Sequence, residues 1–152
     1  MQVKKIALAS DHAGCDLKSF LKEKLLSQGY EIVDYGTDSP NHPVDYPDEA
    51  YLLAKSLKEQ QADVGILVCG SGIGMSIAVN RYNHIRGALV HSEEYARLAR
   101  QHNDANVLVL GGRFLEKEEA FKLANIFLTT DFEGERHARR VCKLGDMPHD
   151  FE

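Results

Sequence analysis

Cys69 ends the apolar run Val64-Gly65-Ile66-Leu67-Val68 and is followed at once by Gly70-Ser71-Gly72-Ile73-Gly74. A thiol in front of alternating glycines is placed for chemistry on or beside an anion. Glycine lets backbone N–H groups approach a negatively charged oxygen, and a helix running from Met75 to Asn80 turns its positive end toward the same loop. Both features favour the thiolate, which is the form that acts as a base or nucleophile. Read alone, Cys69 is equally a small packing residue of the kind that sits inert in cores.

Spacing narrows the chemistry. The glycines run G-x-G-x-G rather than G-x-G-x-x-G, and they follow a third strand instead of opening the first unit, which argues against a dinucleotide site. A phosphatase loop of the form C-x-x-x-x-x-R needs an arginine where this chain has Met75. Three further groups carry suitable side chains: Asp11-His12, His102-Asn103, and the basic cluster Arg136-His137-Ala138-Arg139-Arg140. Each has a plain structural reading as well, respectively turn formation, a histidine complementing a helix C-terminus, and a solvated helix face. In a helix Arg136 and Arg140 stand one turn apart, so with Arg113 they could grip a phosphate through guanidinium forks. The seven histidines show no H-x-x-x-H or H-E-x-x-H spacing, and the cysteines form no pair, so no metal motif is present. His42, His84 and His149 read as surface residues.

These residues need elements to position them. Lys5 to Ala9 reads as a first strand. Leu17, Phe20, Leu21, Leu25 and Leu26 then recur at helical intervals up to Gly29. A second strand spans Glu31 to Tyr35, and a turn-rich segment with three prolines, Thr37 to Pro47, holds Asp45 and Tyr46. The alternation continues through a helix around Ala50 to Leu57 and the Val64–Val68 strand. It goes on with a strand Arg86 to Val90, a helix from Ser92, a strand Val107 to Leu110, a helix around Ala120 to Phe127, and a charged helix Glu133 to Leu144. Five strands each followed by a helix predict an α/β fold, a mostly parallel sheet with helices on both faces. Ligands bind such sheets at the carboxyl ends of the strands. Asp11-His12, Cys69 to Gly74, His91 and Gly111-Gly112-Arg113 should therefore share one edge.

At 152 residues with 43% hydrophobic side chains the chain has the length of one domain, and residues 1–152 are read as a single unit. A net charge of -5 argues against nucleic acid and anionic membrane as partners and favours a small molecule. No run approaches membrane-spanning length, the segment Ile6 to Ala9 is too short for a signal-peptide core, and three unpaired cysteines suit a reducing compartment, so the cytoplasm is expected.

Taken together, Ala9-Ser10-Asp11-His12-Ala13-Gly14, Val44-Asp45-Tyr46-Pro47-Asp48, Cys69 to Gly74, Arg100 to Asn106, Gly111-Gly112-Arg113 and Arg136 to Arg140 resemble type B ribose-5-phosphate isomerases over nearly the whole chain. The resemblance implies a three-layer Rossmann-like sandwich with a five-stranded parallel sheet. It also implies a homodimer or dimer of dimers with sites shared between subunits, residues 133–152 at the interface, and no metal or organic cofactor. The implied reaction interconverts ribose 5-phosphate and ribulose 5-phosphate through an enediolate, a step of the pentose phosphate pathway. Carried over by position, Cys69 is the base. Gly70, Ser71, Gly72, Ile73 and Gly74 hold the enediolate oxygen, and His102 opens the sugar ring. Asp11 and His12 meet the sugar hydroxyls, while Asp45, Tyr46 and Asn103 line the pocket. Arg113, Arg136, His137 and Arg140 bind the phosphate. Ser71 stands where many relatives have threonine, which keeps the hydroxyl. A second branch lacks the cysteine and places glutamate after the last loop glycine, where this chain has Met75. The rival readings are an isomerase for allose 6-phosphate or galactose 6-phosphate and a non-catalytic phosphosugar sensor.

Overall fold

The computed structural model describes residues 2–37, 39–41 and 43–146. Five parallel strands, β1 (Lys5–Ser10), β2 (Glu31–Gly36), β3 (Val64–Cys69), β4 (Gly87–Leu89) and β5 (Val107–Gly111), lie in the order β2-β1-β3-β5-β4. Helices α1 (Cys15–Ser27), α2 (Tyr46–Lys58), α3 (Ile73–Val79), α4 (Glu93–Gln101) and α5 (Lys117–Thr129) connect and cover them, and α6 (Arg136–Asp146) closes the described chain. No described helix is long and apolar enough to cross a membrane.

Strand alternation builds the three layers. Ile6, Leu8, Val64, Ile66, Val68, Leu108 and Leu110 face one way and pack with α1, α4 and α5. Ala7, Ala9, Leu67, Cys69, Val107 and Val109 face the other way and pack with α2 and α3. The central strands are buried on both faces, so they read as continuous apolar runs. From β1 the chain winds to one side, and after β2 it returns past β1 to β3. The loops leaving β1 and β3 therefore diverge and open a crevice at their carboxyl ends.

Element types match the sequence reading, and several boundaries move for local reasons. Tyr46 and Pro47 belong to the first turn of α2, where proline needs no hydrogen-bond partner for a missing N–H. Helix α3 starts at Ile73, two residues early. Helix α6 begins at Arg136 rather than Glu133, because Gly134 (φ 73) and Glu135 (φ 53) are left-handed and cannot be helical. His84 is half-buried rather than superficial, with Nε2 2.7 Å from the Ala54 carbonyl. The expectations for His42, His149 and the tail after residue 146 fall outside the described residues.

Candidate active site

The Cys69 loop is tied on both sides to its neighbours at the carboxyl edge. The Asp11 N–H donates to the Val68 carbonyl at 3.3 Å, the Gly112 N–H to the Cys69 carbonyl at 2.8 Å, and the Arg113 N–H to the Gly70 carbonyl at 3.0 Å. Gly72 takes a left-handed backbone (φ 82), and this turn aims its N–H at the Cys69 sulfur at 3.2 Å. Cys69 is 5% exposed, whereas Ser71 beside it is open to solvent. The Ser71 hydroxyl accepts from the Ile73 N–H at 3.1 Å. Helix α3 has only seven residues, so loop N–H groups matter more here than a helix dipole.

Close approaches at glycines place two more side chains. A Cβ on Gly70 would lie 3.2 Å from the Arg113 guanidinium, and one on Gly74 would lie 2.9 Å from the Tyr46 ring. Asp45 occupies the N-cap of α2 without using its carboxylate there. The Asp11 carboxylate does cap, accepting from the Gly14 N–H at 3.0 Å, which is the turn role foreseen for it. His12 follows in a 3-10 turn, its Nδ1 buried with no hydrogen-bond partner among the described residues. His91 also falls after a strand, where it is exposed and stacks on Tyr95. Thus Asp11, His12, Asp45, Tyr46, Cys69 to Gly74 and Arg113 meet at one edge.

The remaining expected residues do not. Helix α4 runs back along the sheet, and His102 is its C-cap, at the end where β5 begins. There Asn106 accepts from the Gly65 N–H at the start of β3. A five-residue strand separates this edge from Cys69, roughly 15 Å. His102 stacks on His137 with centroids 4.4 Å apart, and Arg136 and Arg140 share the helix that carries His137. Burial, followed by the neighbouring Arg136 and His102, holds the His137 imidazole below its ordinary pKa. The expected residues therefore fall into two groups at opposite edges of the sheet.

Residues that support each half were not singled out in the sequence. Arg100 is 1% exposed and binds Asp104 Oδ1 (2.8 Å) and the carbonyls of Ala105 (2.6 Å) and Thr130 (3.1 Å), fixing the turn that presents His102 and Asn103. The Arg100 and Asp104 pairing at i,i+4 is the signal that could have revealed it. Lys18, buried in α1, donates to the Tyr35 and Thr37 carbonyls and pairs with Asp34 at 2.7 Å, anchoring the chain as it leaves β2. Glu49 in the first turn of α2 is pushed above its usual range by burial, against the partial opposition of Lys18. Replacing Arg100 with alanine leaves buried acceptors without donors and should cost about 3 kcal/mol. Thermal unfolding should then show a Tm lower by roughly 6–12 °C. A change under about 2 °C would mean that the turn is held by other contacts.

Residues 6–144 match the ribose/galactose isomerase family model. A ribose 5-phosphate isomerase of Thermotoga maritima shares 50% identity, covering 97% of this chain and 100% of that one with a TM-score of 0.92. The type B enzyme of Mycoplasma genitalium, solved with bound ribulose 5-phosphate, is 42% identical over 96% of this chain and 97% of its own, with a TM-score of 0.89. A probable ribose-5-phosphate isomerase B of Mycoplasma pneumoniae is 44% identical over 91% of each chain. Family match, fold and the thiol-bearing glycine loop agree, and the chain belongs to the ribose/galactose isomerase family of sugar-phosphate aldose–ketose isomerases.

Proposed function

We propose that the chain interconverts ribose 5-phosphate and ribulose 5-phosphate in the pentose phosphate pathway of the cytoplasm. We further propose that it acts as a homodimer or dimer of dimers in which each site joins the Cys69 edge of one subunit to the His102 edge of the other. The observation that carries this reading is the separation of the two half-sites, each of which lacks groups that the other supplies. A two-fold axis that brings unlike edges together makes two complete sites from two copies. Residues 1–152 act as one domain in this arrangement, with residues 133–152 at the subunit contact.

In the proposed mechanism, His102 of the partner subunit assists opening of the furanose ring by exchanging a proton with the ring oxygen. The Cys69 thiolate then takes the proton from C2 of the aldose. The electron pair moves into a C1–C2 double bond, and negative charge develops on the carbonyl oxygen. The Gly70–Gly74 loop and the Ser71 hydroxyl supply donors where that charge appears, which is the efficient place for them. A proton passes from the C2 hydroxyl to the C1 oxygen, and return of the proton from Cys69 to C1 then leaves the carbonyl at C2 and completes the ketose. Asp11, His12, Asp45, Tyr46 and the partner subunit's Asn103 orient the sugar. Arg113, with Arg136, His137 and Arg140 of the partner subunit, holds the phosphate, which therefore serves as a handle remote from the reacting carbons.

Purified protein should turn over ribose 5-phosphate with a higher kcat/KM than allose 6-phosphate or galactose 6-phosphate. Higher kcat/KM on a six-carbon phosphate would move the assignment to that substrate. Binding of all three without turnover would leave a sensor.

A further inference from the structure

Glu133, to which the proposed isomerase reaction gives no role, forms a cluster with the two imidazoles of His102 and His137. Nε2 of His102 lies 3.7 Å from Glu133 Oε1, and Nε2 of His137 lies 3.6 Å from the same oxygen. Both distances are too long for hydrogen bonds. They are close to the separation of about 3.4 Å between two ligands on a tetrahedral ion with bonds of about 2.1 Å. The three ligand atoms lie within 4.8 Å of one another.

The cluster is built in advance. The Glu133 N–H donates to the Gln101 carbonyl at 3.0 Å, which pins this segment to the end of α4. The left-handed pair Gly134 and Glu135 then reverses the chain, so that Glu133 and the His137 one helical turn later face the same point. His137 is 6% exposed, and its Nε2 is sealed from solvent without a hydrogen-bond partner among the described residues. A buried ring nitrogen is rarely left without a partner, and this one is aimed at a carboxylate set slightly too far away. The sequence motifs missed the group because its ligands are split between residue 102 and the Glu-x-x-x-His spacing of 133 and 137.

We propose that His102, Glu133 and His137 bind one divalent transition-metal ion of the Zn2+ class, and that the ion inhibits the isomerase by occupying the two imidazoles that otherwise meet the sugar phosphate. The inhibitory half rests on the function proposed above, whereas the binding half does not. Two imidazole nitrogens with one carboxylate oxygen suit zinc, cobalt or nickel rather than magnesium or calcium, which take oxygen ligands. The nearby guanidinium of Arg136 opposes a dication, and Glu133 offsets that charge.

Cobalt(II) serves as the spectroscopic probe and zinc as the inhibitor. The full-length protein should bind one Co2+ per chain, with ligand-field absorption and no thiolate-to-cobalt band. Glu133→Gln and His137→Gln should each weaken binding at least about tenfold. Zn2+ should inhibit turnover of ribose 5-phosphate reversibly on chelation. In Glu133→Gln the inhibiting concentration should rise by the same factor, measured against that variant's own metal-free rate. Absent stoichiometric binding, unchanged affinity in both variants, or thiolate bands that place the ion on Cys69 or Cys142 would overturn the site. Binding without inhibition would overturn its regulatory role. An isomerase that binds no Co2+ refutes the site and leaves the function standing. A Co2+-binding protein with no turnover of any sugar phosphate does the reverse.

Discussion

Cys69→Ala should leave the protein folded and lower turnover of ribose 5-phosphate by roughly two to four orders of magnitude, the usual contribution of a general acid–base group. The thiol lies in the core layer beneath α2 and α3, and its sulfur accepts from the N–H of Gly72. Alanine removes a small buried atom and leaves the buried Gly72 N–H without its acceptor, so the cost in stability should be about 1–3 kcal/mol. Thermal unfolding together with steady-state kinetics separates the two effects. No other loop residue can take over as base, because the position after the last glycine is Met75, fully buried and without a proton to exchange. A variant with a near wild-type rate would remove Cys69 from the reaction.

Arg136→Ala and Arg140→Ala should each raise KM by roughly ten- to a hundredfold with a smaller change in kcat. A charge-assisted hydrogen bond to phosphate is worth about 1.5–3 kcal/mol and is made in ground and transition states alike. Both side chains are exposed on α6, so their loss should not disturb the fold. The effect should shrink for an unphosphorylated sugar, which lacks the group that these arginines would hold. An unchanged KM in a folded variant would detach α6 from phosphate binding.

Much of the carboxyl edge could be read from the sequence because its signals are local. The β-branched run into Cys69, the glycines after it and the Gly111-Gly112-Arg113 turn all mark strand ends, and the parallel sheet gathers strand ends at one edge. Tyr46 was placed in a loop, yet it opens α2 and covers Gly74, since the proline that suggested a turn is at home in a first helical turn. The far half was legible in type but not in place. His102 ends a helix, and in a parallel α/β fold helices end where strands begin, so the clue to its opposite edge was present in the element order. Arg100, Lys18 and Glu133 escaped because each acts through contacts distant in sequence: Thr130 for Arg100, Asp34 and Thr37 for Lys18, and Gln101 and His102 for Glu133. The left-handed residue Glu135 gives no sequence signal, although it decides where α6 starts.

The proposed sharing of each site between two subunits is most directly tested by subunit complementation. Cys69→Ala and His102→Asn proteins, each nearly inactive alone, are mixed and allowed to exchange subunits. A mixed dimer carries one site with both lesions and one with neither. Random pairing should therefore restore about a quarter of wild-type activity. If Cys69 and His102 served the same site within one chain, every site in the mixture would lack one of them, and activity would stay at the level of the separate variants.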